Sequence, residues 1–399
     1  MSELPYAKPY WDGEEAQALR SVLDSGMWTN GSQVAEFERL LSEITAAPVI
    51  SLSSGTTAIF ALLHALGVNS AGPRLLVTPT LNFAAAAAAA RLLGWDVGLC
   101  DVRREDLNIC PESLATLLES VDGRYAHIVV VPVHYAGNPV DVESLAEVCA
   151  RHGADLVEDA CHAIGAGYGD GTPVGSSRAS RAAYFSFHPV KPIGAGEGGA
   201  VATHDEALRD RLRAFRNHAM TPVAPSDDDL APWPYDIDTP GANFRLSEFH
   251  AALGVVQARR LETARQARAV QAQRYRAAFE GLPALRTLAT IGRARSAHHL
   301  FPVVFDLDEL GMAKRDVIAF LRAAGIGCQV HYTPLHRLGA FRRSLAPPTG
   351  FAVMDAMYPG LLSLPLWYGM SELDQDRVIA AVKELVSRPG ASHRQEEKR

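Results

Sequence analysis

Short apolar runs alternate with helical patterns between about residues 45 and 205, and this alternation constrains the fold most strongly. A strand followed by a helix and then another strand builds a parallel sheet with helices on its faces. The first such helix carries Ile59, Leu62 and Leu66 at the spacing of a buried helical face. We therefore predict an α/β fold with a mainly parallel central sheet. The expected strands are 49–52, 75–78, 97–101, 127–133, 155–158, 182–187 and 199–203.

A long helical pattern begins near Arg245 and runs toward Phe279, and a second set of elements follows it. The expected strands of this part are 299–305 and 327–331, and the expected helices are 314–324 and 372–386. This smaller set predicts an α+β domain beside the large one. We expect a large domain over residues 1–255, a smaller C-terminal domain over 256–388 and a polar tail over 389–399.

Composition argues against several classes of function. The 399 residues include 38 Lys and Arg against 45 Asp and Glu, a net charge of −7, without a dense basic stripe, so we expect no nucleic-acid partner. The longest apolar stretch, 83–90, is far shorter than the ~20 residues of a membrane span. The five cysteines are widely spaced and show no zinc-site pattern, so we expect reduced thiols, no metal and a cytoplasmic protein.

Lys191 and Asp159 are the candidate catalytic residues. Lys191 lies between an apolar run and a glycine-rich loop, where a lysine can lose hydration and react as an amine in Schiff-base chemistry. Taken alone, a lysine is far more often a solvated surface charge than a catalytic group. Asp159 ends a predicted parallel strand, at the sheet edge where ligands bind. It could hold a pyridine nitrogen protonated, or it could merely cap the next segment.

A phosphate site is predicted at the turn 53–57, which links a strand to a helix. The free N–H groups of a helix N-terminus suit a phosphate dianion, although a capped helix without a ligand would look the same. The hydroxyl of Ser186 could reach this phosphate. Phe83 offers a flat apolar face for a cofactor ring, or it is a core aromatic. The anion-binding turn, aromatic ring, strand-end Asp, Ser and Lys191 in this order predict a site for pyridoxal 5′-phosphate (PLP).

Further motifs extend over nearly the whole chain. They are Trp28-Thr29-Asn30-Gly31, Ser53-Ser54-Gly55-Thr56, Glu158-Asp159-Ala160, Ser186-Phe187-His188-Pro189-Val190-Lys191, Gly196-Glu197-Gly198-Gly199, Asn243-Phe244-Arg245-Leu246-Ser247-Glu248 and His331-Tyr332-Thr333-Pro334-Leu335-His336. In this order they resemble the DegT-type (DegT/DnrJ/EryC/StrS) family of PLP-dependent nucleotide-sugar aminotransferases. The resemblance implies the aspartate-aminotransferase fold, which is fold type I of the PLP-dependent transferases.

The resemblance also implies roles at the cofactor ring. Lys191 would carry PLP as an internal aldimine and then shuttle a proton during transamination. Asp159 would bind the pyridine nitrogen, and Phe83 would stack on the ring. Related sugar dehydratases resemble this pattern with histidine in place of the lysine, so Lys191 favours amino transfer.

Other implied contacts surround the ring. Gly55, Thr56 and Ser186 would hold the phosphate, and His162 resembles the residue that contacts the ring hydroxyl. Asn243 would reach a phosphate across a subunit interface. We therefore expect a homodimer with shared active sites.

The implied reaction is ping-pong transfer of an amino group from an amino-acid donor, which we expect to be glutamate, to a nucleotide-linked keto-deoxy sugar. The motifs are closest to members that aminate C4. We expect the segment 222–240 to help select the acceptor. The expected substrate contacts are Trp28, Thr29, His331, Tyr332 and His336.

Alternatives remain open at this level. The same family serves C3-keto sugars and keto-cyclitols. A PLP-dependent sugar dehydratase or lyase could use the same lysine and aspartate for elimination. A non-catalytic regulator could keep the fold, but Lys191, Asp159, Ser186 and Asn243 are all present, which argues against loss of the site.

Overall fold

The computed structural model describes residues 3–68, 70–222 and 235–388. The tail predicted over 389–399 and most of the segment 222–240 lie outside the described residues. The central sheet has seven strands, β1 (Val49–Leu52), β2 (Arg74–Pro79), β3 (Asp96–Cys100), β4 (His127–Val130), β5 (Asp155–Asp159), β6 (Ala182–Ser186) and β7 (Gly199–Ala202).

The seven strands lie in the order β1-β7-β6-β5-β4-β2-β3. Strands β3, β2, β4, β5 and β6 run parallel to one another, whereas β7 pairs antiparallel with both β1 and β6. All but the outermost residues of most strands are buried, as expected for a sheet covered by helices on both faces. The predicted α/β fold with a mainly parallel sheet is therefore confirmed, and each of the seven strands predicted for this sheet matches an observed one to within a few residues.

Helices surround this sheet and continue beyond it. They are α1 (Glu14–Ser25), α2 (Ser32–Thr45), α3 (Gly55–Gly67), α4 (Ala85–Leu92), α5 (Pro111–Ser120), α6 (Val142–Arg151), α7 (Glu206–Phe215), α8 (Glu248–Phe279), α9 (Leu307–Leu310), α10 (Lys314–Ala323), α11 (Ala352–Met357) and α12 (Glu372–Val386). Two-residue strands β8 (Thr221–Pro222) and β9 (Tyr235–Asp236) pair with each other. Among these helices, none is both long and apolar enough to cross a membrane.

A second, antiparallel sheet consists of β10 (Leu285–Thr287), β11 (Phe301–Phe305) and β12 (Leu361–Leu364). Its own apolar cluster includes residues from α8, α10 and α12. Helix α8 spans 32 residues and contacts α1 and α2 as well as α12 and β10, so it connects the two sheets. The five cysteines are all free.

The predicted strand 327–331 is wrong. Only Gln329 of this segment pairs with β12, through two backbone hydrogen bonds with Ser363 (3.2 and 2.8 Å). At its start, the amide of Gly327 donates instead to the carbonyl of Leu4 (2.7 Å) in the N-terminal segment. Because its backbone partners change within two residues, the segment forms a loop and not a continuous strand.

Candidate active site

A cavity of about 490 Å³ opens where β5 and β6 end, the sheet edge at which parallel strands place ligands. It brings together nine of the residues selected from the sequence. They are Gly55, Thr56, Phe83, Asp159, His162, Ser186, Lys191, His331 and Tyr332. These residues come from five separate parts of the chain, and the fold alone makes them neighbours.

Asp159 lies at the end of β5 and is only 5% exposed. Its Oδ2 accepts hydrogen bonds from the hydroxyl of Tyr184 and from Nδ2 of Asn82 (3.2 Å). Its Oδ1 accepts one from the amide of Cys161 (3.2 Å). A buried carboxylate costs free energy unless hydrogen bonds compensate it, and these three donors fix the direction in which this one faces.

The N-terminus of α3 forms a polar cradle on another wall. Ser54 and Thr57 cap each other, because Thr57 N donates to Ser54 Oγ (3.1 Å) and Ser54 N donates to Thr57 Oγ1 (2.9 Å). The amides of Gly55 and Thr56 keep no side-chain partner among the described residues, and both residues line the cavity. A Cβ at Gly55 would lie 2.8 Å from Cβ of Ser186, so only glycine lets the helix start approach that hydroxyl.

Lys191 lies in the loop between β6 and β7. The loop folds back on itself through backbone hydrogen bonds from Phe187 N to Gly198 O and from Ala195 N to Phe187 O (both 2.8 Å). Burial lowers the pKa of Lys191 below its ordinary value, while the charges of Cys161 and Asp159 oppose this. A lower pKa leaves more of the amine uncharged, which is the nucleophilic form.

Three buried histidines, His162, His299 and His331, also line the cavity and form its histidine wall. Burial lowers the pKa of all three, and that of His331 falls to about 4, with the charge of Lys191 adding to the effect. His162 Nε2 is 3.0 Å from the Tyr332 hydroxyl, whereas its Nδ1 is buried without a partner among the described residues. At neutral pH this wall is therefore uncharged, and Nδ1 of His162 remains free to accept or donate a hydrogen bond.

Four predicted residues lie outside this cavity. Asn243 is exposed and pairs through its backbone with Asn217. Trp28 packs its ring on Phe249, with 5.7 Å between ring centroids. Their proposed roles stay predictions.

The other two, Thr29 and His336, are held by structural contacts. Thr29 pairs with Ser247, beside Glu248, whose carboxylate accepts three amides at the start of α2. His336 is bonded to Thr80 Oγ1 (2.6 Å) and lies flat on the ring of Phe351. Substrate contacts by these two residues likewise stay predictions.

Comparison with known proteins settles the family. Residues 9–383 match the DegT/DnrJ/EryC1/StrS aminotransferase family. The chain belongs to this family. Membership of the DegT/DnrJ/EryC1/StrS family makes it a PLP-dependent sugar aminotransferase with the fold predicted from its motifs.

Individual relatives are similar to this chain over nearly the full length of both proteins. The spore coat polysaccharide biosynthesis protein SpsC of Bacillus subtilis (strain 168) is 32% identical over 387 residues, which are 96% of this chain and 97% of SpsC. The putative sugar aminotransferase Spr1654 of Streptococcus pneumoniae, in its PLP form, is 26% identical with a TM-score of 0.85, covering 96% of this chain and 98% of its own. DesI, solved in the presence of its TDP-sugar product, is 26% identical with a TM-score of 0.86. The match covers 100% of this chain and 96% of DesI.

The residues of this DegT/DnrJ/EryC1/StrS family member fit the cofactor. The cradle of free amides at Gly55 and Thr56 beside Ser186 suits a phosphate dianion. Asp159 presents an anchored carboxylate, as a protonated pyridine nitrogen requires. A polar group of the cofactor could form a hydrogen bond with Nδ1 of His162, which is buried without a partner among the described residues. Among the described residues, no cluster of His, Cys, Asp or Glu could hold a metal ion.

Two residues that hold Asp159, Tyr184 and Asn82, were not predicted from the sequence. Tyr184 was visible only as an aromatic position in an apolar strand, the normal sign of a core residue. The alternation of side chains along β6 places its hydroxyl on the same sheet face as Asp159, with which it is paired in register. Register could not be read from the sequence, so the contact could not be predicted.

We expect Tyr184→Phe to weaken cofactor binding about tenfold, since a hydrogen bond to a charged group contributes about 1.5–3 kcal/mol. The hydroxyl also compensates the buried Asp159 carboxylate before the cofactor binds, so the melting temperature of the cofactor-free protein should fall as well. Equilibrium titration of that protein with PLP measures the affinity. Tyr135→Phe is the matched control, because Tyr135 is also buried but its hydroxyl donates to the carbonyl of His331 (2.5 Å). If Tyr184→Phe and the native protein bind PLP with equal affinity, Tyr184 does not contribute to the cofactor site.

Proposed function

We propose that this enzyme transfers an amino group, by a ping-pong cycle, from glutamate to the C4 keto carbon of a nucleotide-linked keto-deoxy sugar. The observation that carries the proposal is Lys191, a partly buried amine that faces one cavity with Asp159 and the α3 cradle. DesI, of similar fold, was solved with a TDP-sugar product, which supports a nucleotide-linked acceptor. SpsC, by its name, acts in polysaccharide biosynthesis, which supports a sugar pathway.

The protein's part in this chemistry is to hold the cofactor and to move a proton. Bound PLP supplies an electron sink that stabilises negative charge on the neighbouring carbon. In our proposal, Asp159 keeps the ring nitrogen protonated and thereby strengthens that sink. The amides of Gly55 and Thr56 and the hydroxyl of Ser186 fix the phosphate end.

Lys191 Nζ is the proposed proton carrier. Its lowered pKa lets the amine accept a proton from a substrate carbon and return it to another position nearby. The same Nζ serves both halves of the cycle, because donor and acceptor occupy the same cavity in turn. His331 and Tyr332 line that cavity and are placed to contact either substrate.

A homodimer is part of the proposal. Phe83 lines the cavity, yet 59% of its surface is exposed in the single chain, and the Trp28 side chain is 55% exposed. Asn243 is exposed and does not line the cavity of its own chain. Large apolar side chains left open beside a ligand site favour coverage by a partner. A second copy would cover these residues and bring Asn243 to the partner's phosphate site.

The direct test is a two-step assay with the PLP-loaded enzyme. Glutamate should convert the cofactor to the pyridoxamine form, followed by absorbance, and release 2-oxoglutarate. The converted enzyme is then mixed with nucleotide-linked 4-keto or 3-keto sugars, and NMR identifies the aminated carbon. We expect return of the PLP absorbance and a C4-amino product with 4-keto sugars. A C3-amino product would contradict the regiochemistry, and failure of every amino acid to convert the cofactor would contradict transamination.

A further inference from the structure

A second cavity, of about 50 Å³, adjoins the active-site cavity and shares Val190, Lys191 and His299 with it. It lies between the lysine loop, the N-terminal segment and helix α8, which contribute Pro189, Tyr10 and Arg268 among others. One water needs about 10–15 Å³ of such space, so the cavity has room for a carboxylate group. It is therefore large enough to receive one end of a small substrate whose reacting end lies at Lys191.

The charges around this second cavity all have one sign. Lys8, Lys191 and Arg268 line it, and its lining among the described residues contains no Asp or Glu. Gln257 is also there, but its Nε2 already donates to Tyr10 O (2.9 Å) and Glu15 Oε1 (2.6 Å). A small space lined by the cationic side chains of Lys8 and Arg268 and by no carboxylate of the described residues attracts anions.

Arg268 is the residue that most needs such an anion. It is only 5% exposed, its Nε donates to Ala297 O (3.3 Å), and its Nη2 is buried without an acceptor among the described residues. Burial lowers its pKa to about 10. On the same helix, Arg265 is also buried but binds Glu262 through two hydrogen bonds (2.9 and 2.7 Å). A buried guanidinium without a carboxylate is costly, and a ligand carboxylate would compensate it.

The active-site cavity itself lacks a matching group. Within the part of the chain that the structure describes, no arginine lines it, and burial lowers the pKa of its three histidines. A glutamate donor brings two carboxylates that need cationic or hydrogen-bonding partners. We propose that the cavity at Arg268 is the subsite for a carboxylate of the amino donor, an inference that rests on the proposed function. The donor's amino group then lies at Lys191, and its carboxylate lies against the guanidinium.

The test separates the two half-reactions of the PLP-loaded enzyme. Arg268→Gln should raise the glutamate concentration at which conversion of the cofactor is half-saturated. We expect a rise of about tenfold to a hundredfold, because this is what the loss of one charge-assisted hydrogen bond costs in affinity. Return of the PLP form by the keto sugar should stay unchanged. Arg268→Lys should recover part of the loss. Arg265→Gln is the matched control on the same helix, and its half-saturating glutamate concentration should equal that of the native enzyme. An equal loss in both half-reactions would mean a structural role and would overturn the proposal.

Glutarate gives a readout that does not require turnover. It carries both carboxylates but no amino group, and we expect the native PLP-loaded enzyme to bind it at least about tenfold more tightly than the neutral glutaramide. Equal binding of the two compounds would overturn the proposal even if Arg268→Gln does not fold. An unchanged glutamate half-reaction with altered chloride sensitivity in Arg268→Gln would assign the cavity to inorganic anions and overturn it as well. If native enzyme binds glutarate but glutamate leaves the cofactor unconverted, the donor assignment fails while the carboxylate subsite stands.

Discussion

Lys191→Ala is expected to lower the rate of cofactor conversion by amino donors about a thousandfold while the chain still folds. Alanine has neither the amine that binds the cofactor nor the group that moves the proton, and positioned proton transfer alone contributes about 10²–10⁴-fold. The absorbance of a lysine-linked cofactor should disappear. Removing a partly buried cation with a lowered pKa relieves desolvation, so the melting temperature without cofactor should not fall. Single-turnover absorbance and thermal unfolding measure both effects.

Lys383→Ala is the matched control, because Lys383 is an exposed lysine in helix α12. It should keep native conversion rates and the native absorbance. Conversion by Lys191→Ala within tenfold of the native rate would mean that another group moves the proton.

Asp159→Asn is expected to lower the rate of cofactor conversion by amino donors about 10²–10³-fold. The loss of one preorganised electrostatic partner at a reacting centre has an effect of this size. The amide is nearly isosteric but neutral, so it no longer favours a protonated ring nitrogen. It also presents an NH₂ group where Tyr184, Asn82 and the amide of Cys161 supply three donors. We therefore expect weaker PLP binding too, measured by titration of the cofactor-free protein.

The control for charge removal on the same strand is Asp155→Asn. Asp155 begins β5 and binds His127 (3.0 Å), away from the cavity. This variant should lose some stability but keep the native affinity for PLP. If Asp159→Asn converts its cofactor as fast as Asp155→Asn does, the proposed partner of the ring nitrogen is wrong.

The central sheet was predictable because its signal is local. Strands buried on both faces read as short apolar runs, and the helices between them carry an apolar stripe, so both are visible in short windows. The position of Asp159 could be predicted as well, because the carboxyl ends of parallel strands lie together at the edge of the sheet where ligands bind. The family motifs then indicated which strand ends meet the cofactor.

Contacts between distant segments were not predictable from single residues. The hydrogen bonds of Tyr184 and Asn82 to Asp159 depend on strand register, and the neighbours of Gln329 depend on where the N-terminal segment docks. Arg268 looked like one of many arginines on a long polar helix. The division of the chain near residue 255 stays a prediction, and helix α8 runs without a break through that point.

Borohydride reduction of the PLP-loaded enzyme, followed by peptide mass spectrometry, tests the central claim most directly. The reduction fixes the cofactor covalently to whichever lysine carries it. We predict one phosphopyridoxyl group per chain, on the peptide that contains Lys191, and its loss when glutamate is added before reduction. A phosphopyridoxyl group on any other lysine, with Lys191 unmodified, would contradict the account.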